Sequence, residues 1–190
     1  PAVACFAIDR ADGERIAQFD WWRTSLGPLS RWPASLRIAV DMMHLSPFPC
    51  AVVWGADLCV VHNDGYRALR ALPDALGMAF DTLWSDIWPA VGPWVFKALE
   101  GHSNFVEDPP LRIVRSEGAE PLWCAFGYAP LHDELGNVAG FLHTVIETTA
   151  SVEAHRHWRE QVQSFERQVE QHVAEREPVS YTHLRAHGDR

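Results

Sequence analysis

The sequence predicts an α+β domain, in which helices cover one face of an antiparallel sheet, followed by a long amphipathic helix. Two short apolar runs around residue 55 come first, segments with helical periodicity follow, and three runs with strand-like alternation come next. Strands at hairpin distances along a chain pair antiparallel, so the three later runs are typical of a meander. The order of strands, helices and strands indicates a single layered domain.

The composition is that of a globular protein with an acidic balance. The chain has 190 residues, of which 47% are hydrophobic and 22% charged, and its formal net charge is −9. This length suits one domain with an appendage. A nucleic-acid partner is disfavoured, because phosphate binding needs clustered Lys and Arg. No apolar run of about 18 residues is present, so the sequence predicts no membrane-spanning helix and no membrane contact.

Cysteine usage and the first residues indicate a cytoplasmic protein. Cys5, Cys50, Cys59 and Cys124 lie in apolar surroundings and form no Cys-x-x-Cys pair. We expect buried free thiols in a reducing compartment, with a structural disulfide or zinc site as the alternative. The N-terminal sequence lacks the basic and apolar regions of a signal peptide. Since it does not begin with Met, we expect it to be a segment of a longer chain.

Changes in composition divide the chain into four segments. Weak periodicity over residues 1–19 predicts a flexible lead-in, and residues 20–149 form the globular domain. Residues 150–177 form a continuous helix. The remaining residues, 178–190, fit neither pattern, and we expect this tail to be disordered or not native to the protein.

The domain is predicted to open with a helix. Ser30 is a candidate N-cap for a helix that begins near Pro33, since proline suits the first helical turn. Leu36, Val40 and Met43 recur at helical spacing and define its apolar stripe.

A hairpin and a short helix follow. Strands at about 50–54 and 58–62 are joined by Gly-Ala-Asp, which supplies the turn. Asn63 or Asp64 then accepts backbone N–H bonds and caps the helix.

The Trp-rich segment after the hairpin predicts two helices. The apolar face of the first comprises Phe80, Leu83, Trp84, Ile87 and Trp88. Pro89 is expected to begin the linking turn, and Gly101 to end the second helix. The apolar residues of the second helix are Trp94, Val95, Ala98 and Leu99.

Strand-like alternation marks the last part of the domain. The first strand is expected to be broken by Pro109 and Pro110. The second alternates Trp123, Ala125 and Gly127 on one side with Cys124, Phe126 and Tyr128 on the other. A Gly136-Asn137 turn then leads into a strand at about 138–148.

The C-terminal helix carries the spacing of a coiled-coil seam. Trp158, Val162, Phe165 and Val169 follow each other at steps of four, three and four residues. A lone amphipathic helix of this length would expose its apolar stripe to water. We therefore expect a parallel homodimer through this seam, with packing of the helix on its own domain as the alternative.

Three stretches resemble a PAS domain of the kind that precedes bacterial sensor histidine kinases, hybrid kinases included. "LGPLSRWPASLRIAVDMMHLSPFPCAVVWGADLCVVHNDGYRAL" is similar to the opening helix, hairpin and first short helix of that family. "ALGMAFDTLWSDIWPAVGPWV" is similar to its helical segment, and "WCAFGYAPLHDELGNVAGFLHTVIETT" to its closing strands. The stretch "FERQVEQHVAERE" resembles the coiled linker to a kinase core. The resemblance implies a five-stranded antiparallel sheet with helices on one face, an N-terminal helix and a long C-terminal helix.

The resemblance also implies a central pocket, of which the hairpin and the following turn build one wall. Asn63 matches the family's frequent Asn after the second strand, and a structural cap is the favoured role over a ligand contact. The indoles are expected to face one core, either as plain packing or as the lining of an apolar pocket with His143 or Tyr128 as a polar contact. The candidate ligand-binding residues are Trp54, Asn63, Trp84, Trp88, Trp94, Trp123, Tyr128 and His143.

No cofactor is predicted. Some PAS sensors bind haem iron through a His near the end of the long helix, and His102 follows that helix, but a solvated loop His is the favoured interpretation. The Asn-Cys-Arg motif of flavin–thiol photochemistry is absent from the sequence. No metal-ligand spacing appears, since His155 and His157 are two apart on a helix and do not share a face.

The sequence favours a sensory and dimerising module of a two-component histidine kinase. This segment is expected to be non-catalytic, and to pass a signal through its C-terminal helix to a kinase core of the parent chain and its phosphorelay. The expected partners are a second copy, the kinase core in cis and a small apolar ligand. The alternatives are a ligand-free interaction scaffold and the input domain of a cyclic-dinucleotide cyclase or phosphodiesterase. A small α+β-barrel enzyme is disfavoured, because no acid–base pair can be nominated.

Overall fold

The computed structural model describes residues 11–69, 75–113 and 122–176. It divides into two units, one ending at Thr148 and one beginning at Thr149. The helices are α1 (Ala11–Gln18), α2 (Ala34–Leu45), α3 (Asp64–Leu69), α4 (Phe80–Leu83), α5 (Trp88–Leu99) and α6 (Thr149–Arg176), with 3₁₀ turns at Trp21–Arg23 and Leu29–Arg31. The strands are β1 (Cys50–Trp54), β2 (Cys59–His62), β3 (Asn104–Ile113), β4 (Leu122–His132) and β5 (Val138–Glu147).

The five strands form one antiparallel sheet in the order β2-β1-β5-β4-β3. The hairpin β1–β2 therefore lies beside the last strand of the chain, and β5 occupies the centre of the sheet. Gly55 makes the tight turn of the hairpin with a φ of 78°, a conformation that costs glycine little. The α+β class and the five-stranded antiparallel sheet are confirmed.

The contact between β1 and β5 depends on a glycine. Gly140 pairs with Trp54 across the two strands. A Cβ atom at Gly140 would collide with the carbonyl oxygen of Val53 and lie 2.9 Å from the Cα of Trp54. The close approach of the two backbones therefore requires a residue without a side chain here.

Helices α3 to α5 cover one face of the sheet and enclose the main core. The largest buried side chains of this core, each at most 5% exposed, are Tyr66, Leu69, Phe80, Leu83, Trp84, Phe126, Tyr128 and Phe141. Strand residues reach it at alternate positions, as Ala51 and Val53 do from β1. The predicted placement of helices over this face is confirmed.

The N-terminal segment covers part of the other face of the sheet. Alternate residues of β1, Cys50, Val52 and Trp54, pack there against a second core. The large residues contributed by α1, α2 and the segment between them are Ile16, Trp21, Trp32, Leu36, Val40 and Met43. With both faces covered, every residue of β1 and β2 is buried, which explains why these strands are continuous apolar runs.

The structure differs from the predicted flexible lead-in over residues 1–19. Ala11–Gln18 form helix α1, in which Ile16 is buried and its carbonyl accepts a 2.7 Å hydrogen bond from the Trp21 indole. Arg15 forms a 2.8 Å ion pair with Asp64. These tertiary contacts hold a helix that is too short to be stable alone. Residues 1–10 lie outside the described residues.

Two predicted helix boundaries are wrong. Ser30 lies in a 3₁₀ turn rather than capping α2, whose N-cap is Pro33 in extended conformation without a side-chain hydrogen bond. Pro89 lies in the first turn of α5 rather than in the linking turn, a position that proline favours because its missing N–H has no helical partner.

Strand β3 continues through the two prolines that were expected to break it. Its pairing with β4 shifts register between Val106 and Leu111, the interval that contains Pro109 and Pro110. Proline donates no ladder hydrogen bond, so an edge strand with an irregularity is where a sheet accommodates it.

Helix α6 spans 28 residues, as the sequence predicts. Along the predicted seam Trp158 is 64% exposed, Phe165 is 67% exposed and Val162 is half-buried. The side chain of Val169 and residues 177–190, which include the predicted tail, lie outside the described residues. None of the helices in the described ranges is both long and apolar enough to cross a membrane.

Candidate functional site

A histidine occupies the centre of the core between the sheet and helices α3 to α5. His143 of β5 is 1% exposed. Its ring stacks on Tyr128 at a centroid distance of 4.8 Å and on Phe126 at 5.3 Å, both from β4. We call this the His143 cluster; its members are His143, Tyr66, Phe80, Trp84, Phe126 and Tyr128.

The polar atoms of the His143 cluster form a hydrogen-bonded chain. The indole Nε1 of Trp84 donates to the hydroxyl oxygen of Tyr66 at 2.8 Å, and this oxygen lies 2.9 Å from Nδ1 of His143. Indole N–H can only donate, so the hydroxyl oxygen of Tyr66 accepts from Trp84 while it also pairs with Nδ1 of His143.

Burial keeps the cluster uncharged. Desolvation lowers the pKa of His143 from 6.5 to about 3, and it raises the pKa of Tyr128 above its usual range. Nε2 of His143 is buried and makes no hydrogen bond to any of the described residues. The site therefore combines a neutral aromatic wall with one polar atom that a ligand or a rearrangement can satisfy.

Asn63 positions Tyr66 within the cluster. Its side-chain oxygen accepts hydrogen bonds from the backbone N–H of Tyr66 at 2.9 Å and of Cys50 at 3.1 Å. Its amide nitrogen donates to the carbonyls of Phe48 at 2.8 Å and Met43 at 3.2 Å. The predicted helix cap is confirmed, and the same side chain also joins α2, β1 and α3.

The structure brings only part of the predicted ligand-binding set together. Trp84, Tyr128 and His143 are members of the His143 cluster. Trp88 and Trp94 pack, partly buried, against the edge of the same core. Trp88 contacts Phe80 at 6.4 Å between centroids, and the ammonium of Lys97 lies 4.4 Å from the ring centroid of Trp94.

Two of the predicted indoles do not face this core. Trp54 packs in the second core, on the opposite face of the sheet. Trp123 is half-buried and belongs to neither core. Side chains alternate along a strand, so Val53 and Cys124, their neighbours, take the inward positions. The expectation that all five indoles face one core is therefore wrong.

Sequence reasoning missed three members of the cluster: Tyr66, Phe80 and Phe126. Tyr66 had a usable signal, because the residue three positions after an N-cap lies at a fixed place in the first helical turn. The other two are ordinary apolar residues on predicted elements, and only the packing shows that they surround His143.

The remaining candidates for cofactor or metal chemistry are His102 and the cysteines. His102 is exposed just after α5, where its backbone N–H donates to the backbone carbonyl of Lys97 at 2.9 Å. Cys50, Cys59 and Cys124 are buried free thiols, and Cys5 lies outside the described residues. Within the described ranges no three His, Cys, Asp or Glu side chains are grouped to hold a metal ion.

An open groove of about 340 Å³ lies on the other face of the sheet. It is lined by residues of β3, β4 and β5, among them Phe105, Ala129 and Leu142. Phe105 is 54% exposed. The N-terminal segment thus leaves part of this face uncovered.

Three solved structures have a chain path similar to that of this chain. An RNA-binding light-oxygen-voltage receptor is 21% identical, with a TM-score of 0.51 over 77% of this chain and 42% of that chain. A phage VqmA in complex with DPO is 17% identical, with a TM-score of 0.49 over 68% of this chain and 59% of that chain. The PAS domain of BvgS from Bordetella pertussis is 16% identical, with a TM-score of 0.43 over 67% and 97%.

The chain thus spans less than two thirds of the length of the first two structures. No protein-family model matches the sequence, and no curated protein matches it. The strand order, the helices over one face and the likeness to the light-oxygen-voltage receptor agree. This chain has the PAS fold, with a histidine-centred aromatic cluster inside it.

Proposed function

We propose that this chain is the sensory and dimerising module of a cytoplasmic two-component sensor histidine kinase. A signal received at the His143 cluster passes through α6 to a kinase core in the same polypeptide. The position of His143 carries this proposal. It lies on β5, which ends at Glu147, and α6 begins at Thr149 after a single intervening residue.

The His143 cluster is suited to a two-state response. His143 is bonded to Tyr66 of α3 on one side, and its strand is paired with β1 and β4 on both edges. A small apolar ligand, or a change in the Tyr66–His143 hydrogen bond, therefore biases the position of β5. Such a signal shifts the populations of two alternative packings of the sheet and of the helix that follows it.

Transfer of the signal to the kinase core requires that the α6 helices of two copies pair in register. The seam on α6 exposes Trp158 and Phe165, with Val162 between them. Pairing of two such stripes in a parallel coiled coil covers these apolar side chains and gives the two kinase cores a common axis.

The dimer is tested by breaking the seam. Val162→Asp with Phe165→Asp places two charges inside the interface, so light scattering should give monomers where the unchanged protein gives dimers. The matched control is Gln161→Asp with Ser164→Asp, on exposed positions of the same helix turns, and should stay dimeric. A seam variant that remains dimeric shows that α6 is not the main contact.

Signal transfer is tested by distances between the two copies. Spin labels at the exposed position Glu160 report the separation of the helices in the dimer. Tyr66→Phe removes the hydrogen bonds to Trp84 and His143, and we expect it to change the distance distribution. Asn137→Ala in the β4–β5 turn is the control. An unchanged distribution for Tyr66→Phe would argue against coupling of the cluster to α6.

A ligand-free interaction scaffold is the second candidate, and denaturing mass spectrometry of protein purified from cells separates it from a ligand sensor. A stoichiometric small molecule supports ligand sensing. Reproducible absence of one supports the scaffold.

The kinase output is tested on the parent protein. We expect it to incorporate phosphate from ATP on a histidine of a helical hairpin that follows α6. Production or hydrolysis of a cyclic dinucleotide instead would assign this module to a cyclase or phosphodiesterase.

A further inference from the structure

Helix α1 contacts the helix that carries Tyr66 of the His143 cluster. Arg15 of α1 forms a 2.8 Å ion pair with Asp64, the first residue of α3, and Tyr66 follows two positions later. The two helices belong to different layers, since α1 contributes to the second core and α3 to the main core. Asp64 lies two residues after the end of the edge strand β2. The ion pair therefore joins, at the end of this strand, the layers that cover the two faces of the sheet.

The same N-terminal segment lies against the chain that leads into α4. A Cβ atom at Gly77 would lie 2.8 Å from Cγ2 of Thr24 and 2.9 Å from the ring of Phe19. Gly77 precedes by three positions Phe80, the cluster residue with which α4 begins. The N-terminal segment thus lies next to the starts of both short helices that contribute rings to the His143 cluster. We call residues 11–24 the N-terminal clamp.

The N-terminal clamp is anchored in the second core. Ile16 is 1% exposed there, and its carbonyl accepts the indole N–H of Trp21 at 2.7 Å. An ion pair as exposed as this one, with Arg15 at 26% and Asp64 at 40%, contributes little to stability by itself. Its effect follows from what it joins. One end is a helix anchored in a core, and the other is a six-residue helix that is too short to hold its own position.

The α3 end of the ion pair is tied to the cluster by hydrogen bonds. The side-chain oxygen of Asn63 accepts the backbone N–H of Tyr66 at 2.9 Å, and the Tyr66 hydroxyl accepts the Trp84 indole N–H at 2.8 Å. Asp64 lies between Asn63 and Tyr66 in the chain. A movement of its carboxylate with Arg15 therefore displaces the first turn of α3. Because hydrogen bonds weaken steeply as their geometry departs from the optimum, such a movement weakens the bonds of the Tyr66 hydroxyl.

We propose that Arg15 is a positioning residue for the His143 cluster, and that the N-terminal clamp is a second route by which the domain exchanges signals. In the function proposed above, a change in the cluster leaves through α6. The clamp acts instead on the other face of the sheet, and it requires neither the dimer nor the kinase core. A coupling free energy is reciprocal. Moving α1 away from α3 therefore loosens the cluster, and a change in the cluster loosens α1.

Hydrogen exchange measured by NMR tests the coupling from both ends. The indole N–H of Trp84 reports the cluster, because it donates to the Tyr66 hydroxyl, and the indole N–H of Trp21 reports the clamp. The backbone N–H of Val145, on the central strand β5, donates to the carbonyl of Pro49 and reports unfolding of the whole domain. Trp84→Phe and Trp21→Phe identify the two indole signals.

Arg15→Gln removes the charge of the clamp and keeps a side chain of similar length. We expect the Trp84 indole to exchange at least about fivefold faster relative to Val145 in this variant. Arg15→Lys, which keeps the charge, should stay within about twofold of the unchanged protein. Glu14→Gln, at an exposed neighbouring position of α1, is the first control and should leave the ratio unchanged. The second is Arg67→Gln, which removes the other arginine of the ion-pair network without altering α1, and it should behave like the first.

Three outcomes would overturn the positioning role. If Arg15→Gln speeds exchange at Trp84 and Val145 by the same factor, the residue contributes only to global stability. An unchanged ratio would mean that the ion pair does not act on the cluster. An equal effect of Arg67→Gln would assign the change to the charge beside Asp64 rather than to α1.

The reciprocal experiment starts from the cluster. Tyr66→Phe should speed exchange of the Trp21 indole relative to Val145, whereas Tyr128→Phe should leave that ratio unchanged. Exchange at Trp21 that only follows Val145 in Tyr66→Phe would contradict the reciprocal coupling. None of these measurements depends on dimer formation or on phosphate incorporation. Failure here therefore leaves the α6 output standing, and failure of the dimer and kinase tests leaves the clamp standing.

Discussion

The hydroxyl oxygen of Tyr66 lies 2.9 Å from Nδ1 of His143, although 77 residues separate them in the chain. This hydrogen bond joins the first helix after the hairpin to the central strand of the sheet. Because the same oxygen accepts the indole N–H of Trp84, three elements of the core meet at one hydroxyl group. The stability of the domain therefore depends on a polar contact inside an otherwise apolar core.

Tyr66→Phe should destabilise the domain by about 2–4 kcal/mol, because it removes the buried hydroxyl that bonds to the Trp84 N–H and to the His143 ring. Urea unfolding followed by tryptophan fluorescence measures this. The control is Tyr128→Phe, since the Tyr128 hydroxyl makes no hydrogen bond to the described residues while its ring stacks on His143. We expect that control to cost less than about 1 kcal/mol. Equal losses for the two variants would contradict the role given to Tyr66.

The pH dependence of stability should carry the signature of His143. Its pKa is about 3 in the folded chain and 6.5 in the unfolded chain. Between these values the unfolded chain binds a proton that the folded chain does not, so stability falls as the pH decreases from 6.5. The slope from this residue is at most about 1.4 kcal/mol per pH unit, or about 2 kcal/mol between pH 6.5 and pH 5. Above pH 6.5 the contribution is constant.

His143→Phe tests that slope, because it removes the titrating group and keeps an aromatic ring. Unfolding free energies of the unchanged protein and of this variant are compared at about pH 7 and pH 5. The decrease in unfolding free energy between about pH 7 and pH 5 should be smaller in the variant by about 2 kcal/mol. His132→Gln, at an exposed position of β4, should retain the full loss. A variant with the same loss as the unchanged protein would mean that His143 titrates near its ordinary pKa.

Asn63→Ala should be among the most destabilising polar substitutions in the domain. The side chain makes four hydrogen bonds to backbone atoms of Cys50, Tyr66, Met43 and Phe48 and is 4% exposed. At about 0.5–1.5 kcal/mol for each bond, the expected loss is about 3 kcal/mol. Thermal unfolding gives the measurement. Asn137→Ala, whose exposed side chain bonds to Asp133 of its own turn, should cost under about 1 kcal/mol.

Gly140→Ala should disrupt the pairing of β1 and β5. A methyl group at this position collides with the carbonyl oxygen of Val53, so β1 and β5 must separate. We expect a loss above about 3 kcal/mol or failure to accumulate as folded protein. Gly127→Ala in β4 is the matched control, since its Cβ would meet its neighbours at 3.7 Å or more. Circular dichroism and soluble yield distinguish the two, and comparable behaviour would show that the strands tolerate a side chain.

Local sequence signals were sufficient for most of the architecture. Alternation in 122–132, helical periodicity around Val95 and the Gly-Ala-Asp turn each depend on neighbouring residues only. The cap at Asn63 was predictable for the same reason, because an Asn before a short helix satisfies N–H groups two and three residues ahead. Helix α1 was missed because eight residues gain their stability from tertiary contacts of Ile16 and Arg15.

The candidate site was predicted only in part. His143, Tyr128 and Trp84 were named from their residue types, but the sequence did not show that their side chains contact one another. Trp54 was assigned to the wrong face, because β1 is buried on both faces and an unbroken apolar run does not tell which side is which.

By itself the sequence determined the order of the strands, of helices α2 to α6 and the heptad spacing of α6, since these follow from periodicities within single segments. Its resemblance to PAS domains implied the five-stranded arrangement. The tertiary structure decided that Tyr66, Trp84 and His143 share one buried hydrogen-bonded chain, and that Ile38, Met42 and Leu45 of α2 remain exposed. The physical reason is that burial and hydrogen bonding between elements depend on contacts between two elements. Such contacts form only when segments distant in the chain pack together.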